Sequence, residues 1–117
     1  MNILIVDDEQ LVRWFLERAL TRWGHKVISV SSGKEALSAL GGGEFDLMFT
    51  DLRMPEEDGS TLISRLGEIT DRKVPKVVIC SAYVTQELAE KYKGEGIMVL
   101  RKPFRLEELE KILSGVS

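Results

Sequence analysis

Two short apolar runs in this sequence end in acidic residues, and these acids are the side chains best suited to chemistry. Ile3–Val6 is followed by Asp7 and Asp8, and Leu47–Thr50 is followed by Asp51. Short runs of apolar and β-branched residues are typical of buried strands in a parallel sheet. Ligands of such sheets bind beyond the carboxyl ends of the strands, so two neighbouring strands would bring the three carboxylates together.

Three carboxylates at one point repel one another unless a cation joins them. At a separation of about 5 Å and an effective dielectric of about 20, each pair of carboxylates costs roughly 3 kcal/mol. A hard divalent cation with oxygen ligands, above all Mg²⁺, would remove this cost. The pattern therefore predicts a metal-dependent site for phosphate chemistry, with Mn²⁺ as the alternative cation.

The length and composition indicate one globular domain. The chain has 117 residues, of which 44% are hydrophobic and 30% charged, and such a chain buries roughly two thirds of its unfolded surface. Its net charge of -3 provides no broad basic field, so we expect no direct nucleic-acid binding. No apolar run approaches the ~20 residues of a membrane span, and no signal-peptide pattern opens the sequence. We therefore expect a cytoplasmic domain that does not contact membranes.

The single cysteine, Cys80, excludes an internal disulfide and fits a reducing compartment. Because Cys80 lies in an apolar run, we expect a buried and unreactive thiol.

Five apolar runs alternate with five segments of helical periodicity. The runs are Ile3–Val6, Lys26–Val30, Leu47–Thr50, Val77–Cys80 and Ile97–Leu100. Strict alternation predicts an α/β fold, a (βα)5 doubly wound parallel five-stranded sheet with right-handed crossovers and helices on both faces. We expect residues 1–117 to form a single domain, with no output domain in this chain.

The helical segments carry apolar stripes and capping residues. Ser32 with Glu35 forms a capping-box pattern, and Thr85 is expected to cap a shorter helix through Tyr92. The third helical segment runs from Gly59 to Ile69. The stripe of the first helix is expected to contain Leu11, Phe15, Ala19 and Leu20, and that of the last helix Leu106, Leu109, Ile112 and Leu113.

Two further polar residues follow predicted strands. Ser81 comes directly after the fourth run, and Lys102 with Pro103 follows the fifth. All strand ends of a parallel sheet open on one edge, so a hydroxyl and an ammonium would join the three carboxylates. This set suits phosphoryl transfer, which needs mainly positioning and charge neutralisation.

Four motifs in this order resemble the signature of two-component response regulator receiver domains. They are Asp7-Asp8-Glu9, Asp51-Leu52-Arg53-Met54-Pro55 with Gly59, Ser81-Ala82, and Lys102-Pro103-Phe104. The resemblance covers essentially the whole chain, and it implies the flavodoxin-like strand order 2-1-3-4-5.

The resemblance implies that Asp51 is the phosphoacceptor, whose carboxylate attacks the phosphohistidine of a sensor histidine kinase. Lys102 would pair with Asp51 at rest and with a phosphoryl oxygen afterwards, and Ser81 would donate a hydrogen bond to that oxygen. The peptide bond between Lys102 and Pro103 is expected to be cis, as in only about 5–6% of X–Pro bonds.

The resemblance also implies how Mg²⁺ is held. Asp8 would bind the ion directly, and Asp7 would bind it directly or through a water. Asp51 and the backbone carbonyl of Arg53 would supply further ligands.

The implied function is a signalling switch and not an enzyme, beyond assistance to its own phosphorylation and dephosphorylation. Phosphorylation would alter the surface of the fourth helix, fifth strand and fifth helix, and so control an output domain or a protein partner. The implied partners are a sensor histidine kinase, an unidentified output domain or protein, and a second copy in a phosphorylation-dependent homodimer. Control of transcription is one output that the resemblance leaves open.

Some positions depart from the receiver pattern or stay open. Val99 stands where these domains usually carry Tyr or Phe as a rotameric switch, so aromatic switching does not operate in the usual way. Arg53 and Tyr83 occupy positions that tune phosphoryl lifetime in such domains. Trp14 either packs at the boundary of the core or contacts a partner.

Two other functions share features with the phosphorylated switch. A phosphorylation-independent interaction module with a receiver fold is the alternative. Val99 favours it slightly, because the usual aromatic switch residue is missing. A haloacid-dehalogenase-like phosphatase also uses a strand-end aspartate nucleophile, but it needs a second aspartate where this chain has Arg53.

Overall fold

The computed structural model describes residues 1–52, 59–68 and 73–116, with the backbone alone for residues 59 and 60. Strands and helices alternate along it, and each strand boundary lies within one residue of the predicted run. The strands are β1 (Asn2–Val6), β2 (Lys26–Val30), β3 (Leu47–Thr50), β4 (Lys76–Ser81) and β5 (Met98–Arg101). The helices are α1 (Gln10–Arg22), α2 (Gly33–Gly42), α3 (Gly59–Leu66), α4 (Gln86–Gly94) and α5 (Leu106–Val116).

The five strands form one parallel sheet in the order β2-β1-β3-β4-β5. This order confirms the expected (βα)5 flavodoxin-like fold. It also places β1 beside β3, so the two strands that end in acidic residues are hydrogen-bonded neighbours.

The core has two layers because successive side chains of each strand point to opposite faces of the sheet. Ile3 and Ile5 face α1 and α5, whereas Leu4 and Val6 face α2, α3 and α4. All four side chains are fully buried. The sheet is therefore covered on both faces, which explains why its strands read as continuous apolar runs.

Two helices begin at the predicted caps. The hydroxyl of Ser32 accepts a hydrogen bond from the backbone N–H of Glu35 at 3.2 Å, and the hydroxyl of Thr85 accepts one from Leu88 at 3.1 Å. Each bond satisfies a backbone donor in the first helical turn. The predicted third helix ends at Leu66, and Ile69 lies outside the described residues.

The predicted apolar stripes of α1 and α5 were wrong at one end. Leu11 is 79% exposed and Leu106 is 44% exposed, whereas Leu16, which the predicted stripe omitted, is fully buried. Both exposed residues lie in the first turn of their helices. Leu11 lines a groove together with residues of the loops that follow β4 and β5, so its side chain does not pack over the sheet.

Trp14 lies partly in contact with the protein and partly in solvent. Its side chain is 54% exposed, and the guanidinium of Arg18 lies 4.8 Å from its ring centroid. Together with Trp23 and Leu106 it lines an open groove between α1 and α5. Within the part of the chain that the structure describes, no helix has the length and apolar content that a membrane crossing requires.

The two leucines of α1 provide a matched test of this packing. Leu16→Ala should lower the free energy of unfolding by about 2–5 kcal/mol, because it leaves a cavity in the layer under α1. Leu11→Ala should change it by less than about 0.5 kcal/mol, because the side chain is exposed. Urea denaturation followed by circular dichroism measures both values, and equal losses for the two variants would contradict the packing of α1.

Candidate functional site

The hydrogen-bonded ladder continues past the ends of the strands and aligns two of the acids. Val6 pairs in register with Thr50. One residue further, the N–H of Asp51 donates to the carbonyl of Val6 at 3.0 Å, and the N–H of Asp7 donates to that of Val30 at 3.2 Å. Asp7 and Asp51 therefore lie side by side at the edge of the sheet, and both are almost completely buried.

Four carboxylates meet at this edge. One oxygen from each of Asp7, Asp8, Glu9 and Asp51 lies within 4.8 Å of the others. The sequence placed Asp7, Asp8 and Asp51 here, and the structure brings all three together. Glu9 was missed as a site residue, although its position directly after the acid pair could have indicated it. Arg53, whose carbonyl was predicted as a metal ligand, lies outside the described residues.

Lys102 is the cation among these acids. Its backbone N–H donates to the carbonyl of Ser81 at 3.1 Å, which fixes it beyond the end of β5, and its peptide bond to Pro103 is cis as expected. Its ammonium nitrogen Nζ donates hydrogen bonds to Asp51 Oδ2 at 2.8 Å and to Glu9 Oε1 at 2.9 Å. A third carboxylate oxygen, Asp7 Oδ2, lies 2.8 Å from the same nitrogen.

Asp7 and Lys102 have pKa values that are displaced from their ordinary range. Burial raises the pKa of Asp7, and the nearby Lys102 offsets this only in part. Burial alone would lower the pKa of Lys102, but its close contacts with the carboxylates of Asp51, Asp7 and Glu9 raise it above 10.5. The stability that Lys102 contributes is therefore present at neutral pH and is lost only as the pH rises above that value.

Ser81 ends β4, next to the acids. Its side chain is completely buried, and its hydroxyl accepts a hydrogen bond from the backbone N–H of Tyr83 at 3.2 Å. The preceding residue, Cys80, is buried as expected, and burial raises the pKa of its thiol to about 12. Val99, on the neighbouring strand β5, is partly buried and packs against the core layer under α2, α3 and α4.

An open groove of about 490 Å³ leads from solvent to Asp51. Glu9, Asp51 and Lys102 supply its charged part, and Leu11, Tyr83 and Phe104 are among the apolar and aromatic residues that line it. Asp51 is thus buried against the protein but lies at the base of a cleft that a reacting group can enter.

The donor set fits a hard divalent cation. Asp7 Oδ2 is buried, and among the described residues it accepts no hydrogen bond, because Lys102 is close enough for an ion pair but is not aligned to donate. An orphaned anionic oxygen beside three further carboxylates is a set of ligands that Mg²⁺ prefers. Asp7, Asp8 and Asp51 are the described residues that would hold the ion.

Comparison with known proteins agrees with this architecture. The sequence profile described as "Response regulator receiver domain" matches residues 3–114. A positive alginate biosynthesis regulatory protein of Pseudomonas aeruginosa is 37% identical over all of this chain and 47% of its own length. A DNA-binding transcriptional regulator NtrC of Azospirillum brasilense is 35% identical over 96% of this chain and 23% of its own length. The chain thus spans less than half the length of these two relatives.

Solved structures show the same fold over nearly the whole chain. The chemotaxis protein CheY4 of Vibrio cholerae superposes with a TM-score of 0.88 at 26% identity, covering 99% of this chain and 98% of that one. A CheY-like receiver domain from Methylobacillus flagellatus gives 0.85 at 28% identity, covering 100% and 98%. With its fold, its profile match and its acidic strand ends in agreement, this chain belongs to the receiver domain family of two-component response regulators.

Proposed function

We propose that this chain is a phosphorylation-controlled switch in which Asp51 accepts a phosphoryl group from a phosphohistidine of a sensor histidine kinase. The observation that carries the proposal is the position of the Asp51 carboxylate. It lies at the base of an open groove, beside three other acids and in a 2.8 Å hydrogen bond to Lys102.

The transfer moves one phosphoryl group between two side chains. A carboxylate oxygen of Asp51 attacks the phosphorus, a new P–O bond forms, and the P–N bond to the donor imidazole breaks. The electron pair of the broken bond stays on the imidazole nitrogen, which leaves as the uncharged ring after taking up a proton. The product is an acyl phosphate on Asp51.

Lys102 and Ser81 would stabilise the charge that arrives on Asp51. The ammonium of Lys102 already lies 2.8 Å from Asp51 Oδ2, so it can donate to a phosphoryl oxygen there with little movement. Ser81, at the end of the adjacent strand, would donate its hydroxyl proton to another phosphoryl oxygen. Mg²⁺, held by Asp7, Asp8, Asp51 and the carbonyl of Arg53, would neutralise charge on the phosphoryl group and on the acids.

The output is proposed to run through the loop between β4 and α4. Ser81 now accepts the N–H of Tyr83, and a hydroxyl turned toward a phosphoryl oxygen would change this hydrogen bond and shift the loop. Because Val99 has no aromatic ring to follow the hydroxyl, the change would reach α4, β5 and α5 through the loop backbone.

The partners follow from this scheme and from the names of the relatives. A sensor histidine kinase would supply the phosphoryl group, and an output domain or a separate protein would read the altered surface. Since the relatives include transcriptional regulators, control of transcription is the output we propose, with a phosphorylation-dependent homodimer as its form. A module that binds partners without phosphorylation is the second candidate, favoured only by Val99.

The proposed phosphoacceptor can be tested with a small-molecule donor. Acetyl phosphate with Mg²⁺ should add one phosphoryl group to the wild-type chain, measured by intact mass spectrometry, because Asp51 is accessible through the groove. Asp51→Asn should remain unmodified. Asp46→Asn is a matched control, since Asp46 lies just before β3 and Asp51 just after it. The absence of uptake by wild type, or equal uptake by Asp51→Asn, would contradict the proposal.

Removal of the Asp7 charge should separate stability from metal binding. Burial raises the pKa of Asp7, so its stabilising contribution is greatest below pH 3.8 and is lost as the pH rises through the raised value. Asp7→Asn should therefore raise the free energy of unfolding in EDTA by about 1 kcal/mol at neutral pH. The same variant should bind Mg²⁺ at least about tenfold more weakly, since it loses a ligand.

Urea denaturation and Mg²⁺ titration calorimetry measure these two effects. Asp8→Asn is the matched control, because Asp8 is exposed and its removal should weaken Mg²⁺ binding with little change in stability. A less stable Asp7→Asn variant at neutral pH would show that the buried Asp7 charge does not destabilise the protein. A variant that binds Mg²⁺ like wild type would show that Asp7 is not a metal ligand.

A further inference from the structure

Glu9 is the acid of the cluster to which the proposed phosphotransfer assigns no role. We propose that Glu9 is a positioning residue: its carboxylate holds the Lys102 ammonium at the mouth of the site and slows the phosphorylation of Asp51 by anionic donors. This inference rests on the proposed function and assigns a further control to the same site.

The contacts of Lys102 show what Glu9 does at rest. Nζ donates to Asp51 Oδ2 and to Glu9 Oε1, and it faces Asp7 Oδ2 without donating to it. The side chains of Asp7 and Asp51 are 2% and 5% exposed, whereas that of Glu9 is 58% exposed. Glu9 therefore accepts a hydrogen bond from the solvent-facing side of the ammonium. The buried oxygen Asp7 Oδ2, which also lies next to the ammonium, accepts none among the described residues.

The backbone of Glu9 is held by hydrogen bonds at both its N–H and its carbonyl, whereas its side chain does not cap α1. Its N–H donates to Asp7 Oδ1 at 2.9 Å, and its carbonyl accepts the N–H of Arg13 at 3.2 Å at the start of α1. Although Glu9 occupies the N-cap position, its side chain forms no capping hydrogen bond within the described structure. The carboxylate is thus held near Lys102 by a rigid backbone and not by a requirement of helix capping.

The charge balance indicates the direction of the effect. Among the described residues, the cluster contains four carboxylates, three of which contact the Lys102 ammonium, and the Arg13 guanidinium adjoins it by donating to the carbonyl of Asp7 at 2.6 Å. Glu9 is the exposed acid that lines the groove to Asp51, so an anionic donor approaches its carboxylate directly. A phosphoryl oxygen of the donor must also replace Glu9 as the acceptor of the hydrogen bond that Lys102 donates to Glu9 Oε1.

The test compares three variants in phosphorylation by acetyl phosphate with Mg²⁺. Glu9→Gln removes the charge, Glu9→Asp retains it on a shorter side chain, and Glu90→Gln removes an exposed charge on α4, away from the site. At low ionic strength, Glu9→Gln should react about three- to tenfold faster than wild type, and the difference should shrink as salt screens the charge. Glu9→Asp should stay within about twofold of wild type at every ionic strength, and Glu90→Gln should match wild type.

A second measurement does not depend on reactivity. In the metal-free protein, the NMR signals of the Lys102 side chain should shift in Glu9→Gln and remain unchanged in Glu90→Gln, because Glu9 accepts a hydrogen bond from the ammonium and Glu90 lies on α4. The affinity for Mg²⁺, measured by calorimetry, should change less than about threefold in Glu9→Gln, since the proposed role is to position Lys102 and not to bind metal.

Three results would overturn the proposal. One is a Glu9→Gln variant with the wild-type rate and salt dependence. Another is a loss of Mg²⁺ affinity beyond about tenfold together with slower phosphorylation, which would make Glu9 a metal ligand. The third is an unchanged set of Lys102 signals. If wild type takes up no phosphoryl group, the proposed function fails instead, and the Lys102 signals still decide whether Glu9 positions the ammonium.

Discussion

The ammonium of Lys102 among the carboxylates of Asp7, Glu9 and Asp51 is the interaction on which the site depends. A buried ion pair is costly to form, because each charge loses its hydration, and it is tolerated only where the partners are close and well placed. Here Lys102 lies within 2.9 Å of all three acids. The arrangement compensates the acids in part and leaves Asp7 Oδ2 without a hydrogen bond among the described residues, which fits the cation and the phosphoryl group of the proposed function.

The parallel sheet makes this arrangement possible. With β1 beside β3 and β4 beside β5, the ladder places Asp7 next to Asp51 and Lys102 next to Ser81 at one edge. The two core layers hold the strands from both faces, and the strand ends that carry these four residues are thereby fixed in place. The fold thereby stabilises a concentration of charge that the site residues by themselves disfavour.

Much of this could be predicted from the sequence, because strand runs and strand-end acids are local patterns. The strand order came from the resemblance to receiver domains and not from periodicity. Leu11 and Leu106 were misplaced because periodicity alone does not tell where a helix passes beyond the sheet. Glu9 was missed because its contact with Lys102 joins residues 93 positions apart. Arg53 lies outside the described residues, so its predicted role as a ligand stays a prediction.

The central claim is that Lys102 compensates the buried acids, and Lys102→Met tests it most directly because the side chain keeps its length and loses its charge. In EDTA at neutral pH, urea denaturation should show a free energy of unfolding about 3 kcal/mol below that of wild type, since the acids remain buried without a cation. Added Mg²⁺ should stabilise Lys102→Met more than it stabilises wild type. A variant as stable as wild type, or one that gains no more from Mg²⁺, would contradict this account.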